Sequence, residues 1–240
     1  MNLILTAYLR SGKDGHKSWE PHRFDKREKN IDELLPLINS ISNQKNYIKI
    51  GVIHDCFYGR AKDLIGANFI QHEPDDNISC NSRRWGLFLH ALKGISCENV
   101  FLVDSTDVEC YISPFDSDLG NFLWTGDERL NTVGSTWMKK YQEPYITMPN
   151  YKEILGPYRS HTLLNCGIVG GKRKIVLEYL ELVVKYQSEC SLPDNISVDM
   201  AVHNYVLFKH FKGRFKHGVQ VNTVFWKNEK PNGISWFKHK

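Results

Sequence analysis

The stretch Asn99-Val100-Phe101-Leu102-Val103-Asp104-Ser105-Thr106-Asp107-Val108 combines a short apolar run with two carboxylates. An apolar run of this length between polar turns predicts a buried β-strand that ends near Val103. In open α/β sheets, ligands bind at the carboxyl ends of parallel strands, and carboxylates there suit a hard divalent cation. The stretch therefore predicts an α/β sheet with a cation site formed by Asp104 and Asp107. The alternative is a turn in which both carboxylates bond only to nearby backbone.

The composition is that of a globular domain. The 240 residues include 41% hydrophobic and 24% charged side chains, which is enough for one sizeable core. The net charge of +4 is too small to indicate a nucleic-acid partner. No stretch reaches the ~20 apolar residues of a membrane span, and the apolar start of the chain lacks a basic leader. Six cysteines without a C-x-x-C pair argue against zinc, and we expect a reducing, cytoplasmic location.

Strand and helix patterns alternate along the chain. The patterns predict strands at 3–9, 47–54, 99–103, 163–169 and 219–226, and helices at 31–41, 81–93, 174–187 and 198–208. This alternation predicts a single-domain α/β fold with a mixed, mainly parallel sheet flanked by helices. Residues 116–160 are irregular in pattern and too long for an ordinary loop, so we expect function or short elements there. We predict a catalytic domain over 1–226 and a solvated, basic aromatic tail over 227–240.

Two further segments carry recognisable motifs. Leu164-Asn165-Cys166-Gly167-Ile168-Val169-Gly170-Gly171 matches the pattern N-x-G-hydrophobic-hydrophobic-x-G, and Asp199-Met200-Ala201-Val202-His203-Asn204 is close to D-Q-x-x-x-N. Together with the acidic stretch and the following Pro114-Phe115, they resemble the motifs of GT-A-fold glycosyltransferases, in the family's order, over roughly residues 1–225. Two departures stand out: the usual D-x-D is spread to D-x-x-D, and Met200 replaces the common glutamine.

The resemblance implies an enzyme that moves a sugar, of hexosyl or deoxyhexosyl type, from a nucleoside-diphosphate sugar to a hydroxyl acceptor. UDP is the favoured donor nucleotide, and the acceptor is a glycan or another hydroxyl compound. Mn²⁺ or Mg²⁺ would neutralise the departing diphosphate. The implied metal ligands are Asp104, Asp107 and a late histidine, for which His217 is preferred to His210.

The resemblance also implies roles for other residues. The implied general base, if the enzyme inverts configuration, is one of three acids, Asp199, Asp127 and Glu128. The implied substrate-binding residues are four basic residues and four residues of the second motif: Arg10, Lys13, Arg83, Arg84, Asn165, Gly167, Gly170 and Gly171. Arg10 and Lys13 follow the first strand, where the nucleotide base and ribose would lie.

Simpler interpretations accompany each of these assignments. A basic residue can be a solvated charge, Asp199 can be an ordinary acid at a helix start, and Gly170-Gly171 can merely end a strand before a helix. One rival function is a haloacid-dehalogenase-like phosphatase, which is disfavoured because Thr106 stands where its second acid belongs. The other is a non-catalytic module that binds a nucleotide-sugar or carbohydrate, an interpretation that the spread acidic motif and Met200 keep open.

Overall fold

The computed structural model describes residues 1–9, 31–44, 48–55, 67–73, 75, 78–190, 196–223 and 230–239. The strands are β1 (Asn2–Tyr8), β2 (Ile48–His54), β3 (Ala67–Gln71), β4 (Asn99–Val103), β5 (Val108–Cys110), β6 (Leu123–Thr132), β7 (Thr162–Lys172), β8 (Phe215–Lys216) and β9 (Phe237–His239). The α-helices are α1 (Leu35–Ser42), α2 (Cys80–Gly94), α3 (Thr136–Tyr141), α4 (Tyr151–Leu155), α5 (Arg173–Ser188) and α6 (Asp199–His210).

Seven of the described strands form one sheet in the order β3-β2-β1-β4-β7-β6-β8. β1 pairs in parallel with β2 and β4, β2 pairs in parallel with β3, and β8 runs parallel to β6. β7 pairs antiparallel with both β4 and β6. Strands β5 and β9 form a second, two-stranded antiparallel sheet. This architecture confirms the predicted single-domain fold with a mixed, mainly parallel sheet and flanking helices.

Both faces of the sheet are buried. Successive residues of its central strands point to opposite sides, and each side packs against an apolar cluster. Leu3 and Leu5 of β1 join a cluster that contains the apolar residues of α2, α5 and α6. Ile4, between them, joins a second cluster with α1 and the apolar residues that surround Trp236 and Phe237. β4 lies at the centre of this arrangement, so that its carboxyl end, with Asp104, opens at the edge between the two clusters.

The observed elements correct two predictions. The predicted strand at 219–226 is wrong for residues 219–223, which form turns with an isolated bridge between Asn222 and Phe237, and 224–229 lie outside the described residues. The expected turn at Gly170-Gly171 is wrong, since β7 continues to Lys172. Gly170 faces the Phe101 ring so closely that a Cβ would lie 2.2 Å from it, which explains the glycine inside the strand. The irregular region contains β6, α3 and α4.

The predicted solvated tail is wrong for residues 236–239. Trp236, Phe237 and His239 are buried, and β9 pairs with β5. The Trp236 ring lies 4.8 Å from that of Trp124, between centroids, in an edge-on contact. Aromatic side chains of this size stabilise a core more than they tolerate water, so the segment closes the second cluster. None of the described helices combines the length and apolar composition needed to cross a bilayer.

Candidate metal and donor site

Three potential ligands converge where β4 ends. Asp104 follows β4, Asp107 precedes β5, and His239 is the last residue of β9. One ligand atom from each lies within 4.8 Å of the others. His239 Nε2 is 3.5 Å from Asp104 Oδ2 and 3.9 Å from Asp107 Oδ2. The pairing of Val108 with His239 between β5 and β9 fixes this approach.

The charges of this group depend on one another. Burial by itself lowers the pKa of His239, but its hydrogen bond to Asp104 and the charges of Asp104, Asp107 and Glu128 outweigh burial and raise that pKa. Partial burial and then the charge of Asp104 raise the pKa of Asp107. The two carboxylates therefore repel each other and attract the imidazole. A divalent cation among the three would satisfy both carboxylates at once.

Gly167 makes this convergence possible. A Cβ at position 167 would lie 2.3 Å from His239 Cε1 and 2.5 Å from Asp104 Oδ2, closer than non-bonded atoms approach. The Gly167 carbonyl also accepts a hydrogen bond from the Asp104 amide at 2.8 Å. The glycine of the second motif thus brings β7, Asp104 and His239 together.

Arg84 links the acidic group to α6. Its Nη1 donates to Asp104 Oδ1, and its Nη2 donates to Asp199 Oδ2 at 3.2 Å. Burial alone would lower the pKa of Arg84, but Asp104, Cys166 and Asp199 hold it above its ordinary value. The guanidinium therefore stays charged and orients a carboxylate on either side.

Asp199 and Asn204, the two ends of the motif Asp199–Asn204, bond to the first turn of α6 and to β7. Asp199 Oδ1 accepts from the Met200 amide at 2.9 Å, and Asp199 is 4% exposed. Asn204 Nδ2 donates to the Leu164 carbonyl at 2.9 Å, while its Oδ1 accepts from the Leu164 amide at 3.1 Å. This two-way bond fixes α6 against β7, so the asparagine of the motif has a structural role.

Glu128 and Asn165 lie beside the acidic group. Asn165 Nδ2 donates to Glu128 Oε1 at 3.2 Å, and Asn165 Oδ1 accepts from the Gly167 amide at 2.6 Å. The charge of Glu128 acts on His239. Both ends of the Asn165 amide are thus engaged within the protein, whereas Glu128 is only half-buried.

The structure places other predicted site residues elsewhere. His217 Nδ1 bonds to Asp127 Oδ2 at 2.9 Å, so these two form a pair of their own, and the histidine in the acidic group is His239 instead. Arg83 Nη1 pairs with Asp55 Oδ2 at 2.7 Å beyond the end of β2. His210 Nε2 contacts the Tyr186 hydroxyl at 2.9 Å.

Two predicted substrate contacts on β7 are not part of the convergence. Gly170 and Gly171 pair with Phe101 and Val100, which precede Asp104 along β4. Arg10 and Lys13 lie outside the described residues.

Sequence reasoning missed His239 because it assigned that segment to a solvated tail. The signal was present, since Trp236 and Phe237 stand directly before Lys238 and His239. Two adjacent large aromatics favour burial, and a histidine two positions after the second lies on the same side of a strand as that aromatic.

The ligand atoms of Asp104, Asp107 and His239 fit a divalent cation. Two carboxylates suit Mg²⁺ or Mn²⁺, and the imidazole nitrogen favours the transition metal of the two. The side chains of His239 and Asp104 occupy the space where a Cβ of residue 167 would lie, so the glycine lets these two ligands approach each other.

Comparison with known proteins gives structural neighbours only. No protein family and no curated protein matches the sequence. A structure of the galactosyltransferase LgtC in complex with donor and acceptor sugar analogues aligns over 100% of this chain and 86% of its own, with a TM-score of 0.51 at 16% identity. An active-site variant of LgtC aligns over the same shares, with a TM-score of 0.52 at 15% identity. The chain therefore has the GT-A glycosyltransferase fold found in LgtC.

Proposed function

We propose that this chain is a divalent-metal-dependent glycosyltransferase that moves a sugar from a nucleoside-diphosphate sugar to an acceptor hydroxyl. One observation carries the proposal: Asp104, Asp107 and His239 converge at a strand end within a glycosyltransferase fold. UDP is the favoured donor nucleotide, a hexose or deoxyhexose is the favoured sugar, and Mn²⁺ is the favoured ion. A cytoplasmic location, expected from the cysteine pattern, belongs to the same proposal.

The three ligands would hold Mn²⁺ or Mg²⁺, and the bound ion would stabilise the negative charge of the departing diphosphate. Arg84 keeps Asp104 oriented toward that position through a charge-assisted hydrogen bond. It also holds Asp199, which fixes the start of α6 relative to the site. In this proposal Arg84 is a positioning residue that sets the geometry of the ligands.

Glu128 is the best placed of the three predicted acids to meet an acceptor hydroxyl. Asp199 is buried, and its two oxygens accept from the Met200 amide, Arg84 and Cys166. Asp127 is 3% exposed and bonded to His217. Glu128 is half-buried, its oxygens accept from Asn165 and from the exposed Asn131, and its charge acts on His239. We therefore assign Glu128 to the acceptor side of the site.

The test is a thermal-shift panel of nucleoside diphosphates and their sugars with Mn²⁺, Mg²⁺ or EDTA, followed by an assay for sugar transfer or donor hydrolysis. A ligand at ~100 times its Kd adds about 2.7 kcal/mol of stability, or roughly 5–10 °C at this size. We expect a metal-dependent shift with one nucleotide. Asp107→Ala and His239→Ala should both abolish the shift and the turnover. His90→Gln, an exposed histidine on α2, is the matched control.

The rival functions give different results in the same experiment. A metal-dependent shift without transfer or hydrolysis would identify a binding module. Release of inorganic phosphate from small phosphomonoesters would identify a phosphatase. Unchanged turnover by Asp107→Ala would contradict the metal assignment itself.

A further inference from the structure

A cavity of about 400 Å³ lies at the β8 edge of the large sheet. It is lined by Ser160, His161, Thr162, Phe208, Phe215 and His217. The volume falls at the small end of the range for ligand pockets, ~300–1,000 Å³, and is suitable for one or two sugar rings. Among these described lining residues there is no carboxylate and no lysine or arginine. The cavity therefore offers aromatic faces, hydroxyls and imidazoles.

Two phenylalanines form a rigid aromatic corner in this cavity. The rings of Phe208 and Phe215 lie 5.7 Å apart at 89°, and Phe208, which is 8% exposed, stacks on Tyr158 at 4.2 Å between centroids. Both rings are thus held in place by their neighbours. The negative face of an aromatic ring attracts the weakly positive C–H groups of a sugar, so a corner of two rings can hold a pyranose from two sides.

His217 supplies a hydrogen-bonding nitrogen at the rim. Its Nδ1 is 2.9 Å from Asp127 Oδ2, and Asp127 is 3% exposed. Because Nδ1 bonds to Asp127, Nε2 is the ring nitrogen left to meet a ligand hydroxyl. The side chain of His217 is 38% exposed and lines the cavity. A sugar hydroxyl can either donate to this nitrogen or accept from it.

The cations of the same segment, at 212, 214 and 216, each contact another protein side chain, and Lys216 lies 4.2 Å from the centroid of the Phe122 ring. Arg214 makes two bonds to Glu178, at 2.9 and 2.7 Å. Lys212 lies over the Tyr158 ring, 5.9 Å from its centroid, on the ring that backs Phe208. The cavity wall itself is lined by aromatic, hydroxyl and imidazole groups, which suit a polyhydroxyl ligand.

We propose that this cavity is a carbohydrate-binding site that holds a ring of the glycan acceptor, with Phe208 and Phe215 as its walls and His217 as its hydroxyl-binding group. That the ring belongs to the acceptor rests on the proposed function, whereas binding of a sugar ring does not. β6 carries one residue that acts on each site: Asp127 bonds to His217, and the next residue, Glu128, acts on His239.

The experiment uses saturation-transfer NMR on the full chain in EDTA without nucleotide. The probes are the methyl glycosides of glucose, galactose, mannose and N-acetylglucosamine, at millimolar concentrations. We expect at least one glycoside to bind. Ser160→Trp, which fills the cavity from an exposed turn, should abolish its binding, whereas Ser160→Ala should keep it. His217→Gln should weaken binding roughly three- to tenfold through loss of one hydrogen bond, and His90→Gln should not.

Three results would overturn the proposal: no glycoside binds, Ser160→Trp binds as the wild type does, or inorganic phosphate displaces the glycoside. Thermal melts of each variant show whether it is folded. The nucleotide panel is read separately. If Ser160→Trp abolishes glycoside binding but no nucleotide binds to the wild type, the cavity proposal stands and the transferase proposal fails. Metal-dependent donor hydrolysis without glycoside binding would reject the cavity alone.

Discussion

At the scale of single residues, Gly167 is the position where the candidate metal site is least tolerant of change. A methyl group there would lie 2.3–2.8 Å from three atoms of His239 and Asp104. We expect Gly167→Ala to push these ligands apart and to weaken metal-dependent nucleotide binding at least tenfold, measured by titration with and without Mn²⁺. Gly86→Ala on α2 is the control, since no atom lies within 4 Å of its added Cβ. Equal binding by Gly167→Ala and the wild type would exclude the three-ligand site.

At the scale of elements, β9 holds the second cluster together as well as carrying His239. Phe237 is fully buried, and its ring lies 5.4 Å from that of Phe101 on β4. We expect Phe237→Ala to lower the free energy of unfolding by about 3–5 kcal/mol, the usual cost of removing a buried phenylalanine. Ile234→Ala, at a side chain that is 56% exposed, should cost less than ~0.5 kcal/mol. Chemical denaturation of both variants checks this, and similar costs would mean that β9 is not part of the core.

Elements with a strong local pattern were predictable from the sequence, and elements defined by distant partners were not. The apolar runs of β1 and β4 and the apolar faces of α2 and α5 give their elements directly. β5 and β9 have three residues each and form only because they pair with each other across the chain. The same reason separates the site residues: Asp104 and Asp107 belong to a local motif, while His239 enters through that long-range pairing.

At the scale of the whole molecule, one buried histidine joins three parts of the fold. His203 on α6 lies 2.6 Å from the Tyr179 hydroxyl on α5 and 3.0 Å from Thr125 Oγ1 on β6. Burial, with a smaller contribution from the charge of Arg84, lowers the pKa of His203 to about 3. The folded protein therefore needs the neutral imidazole, whereas the unfolded chain takes up a proton near the ordinary pKa of 6.5.

This requirement predicts a loss of stability in acid. The contribution of neutral His203 is complete above pH 6.5 and is lost as the pH falls toward the folded-state pKa. Each pH unit below 6.5 costs about 1.4 kcal/mol, so we expect a loss of about 2 kcal/mol from this residue between pH 7 and pH 5. His203→Gln should start from a lower stability but lose less over that interval in urea denaturation. An equal loss in both proteins would contradict the prediction, since carboxylates common to both cancel in the comparison.

The position of His239 also bears on when the site comes into being. More than half of the 240-residue chain separates Asp107 from His239, and contacts between such distant segments close late because a long loop must first be ordered. Until β9 joins β5, the emerging or partly folded chain has two carboxylates and no imidazole beside them. On the proposed function, an immature chain would leave nucleotide-sugars intact, and the onset of activity would mark the completion of folding.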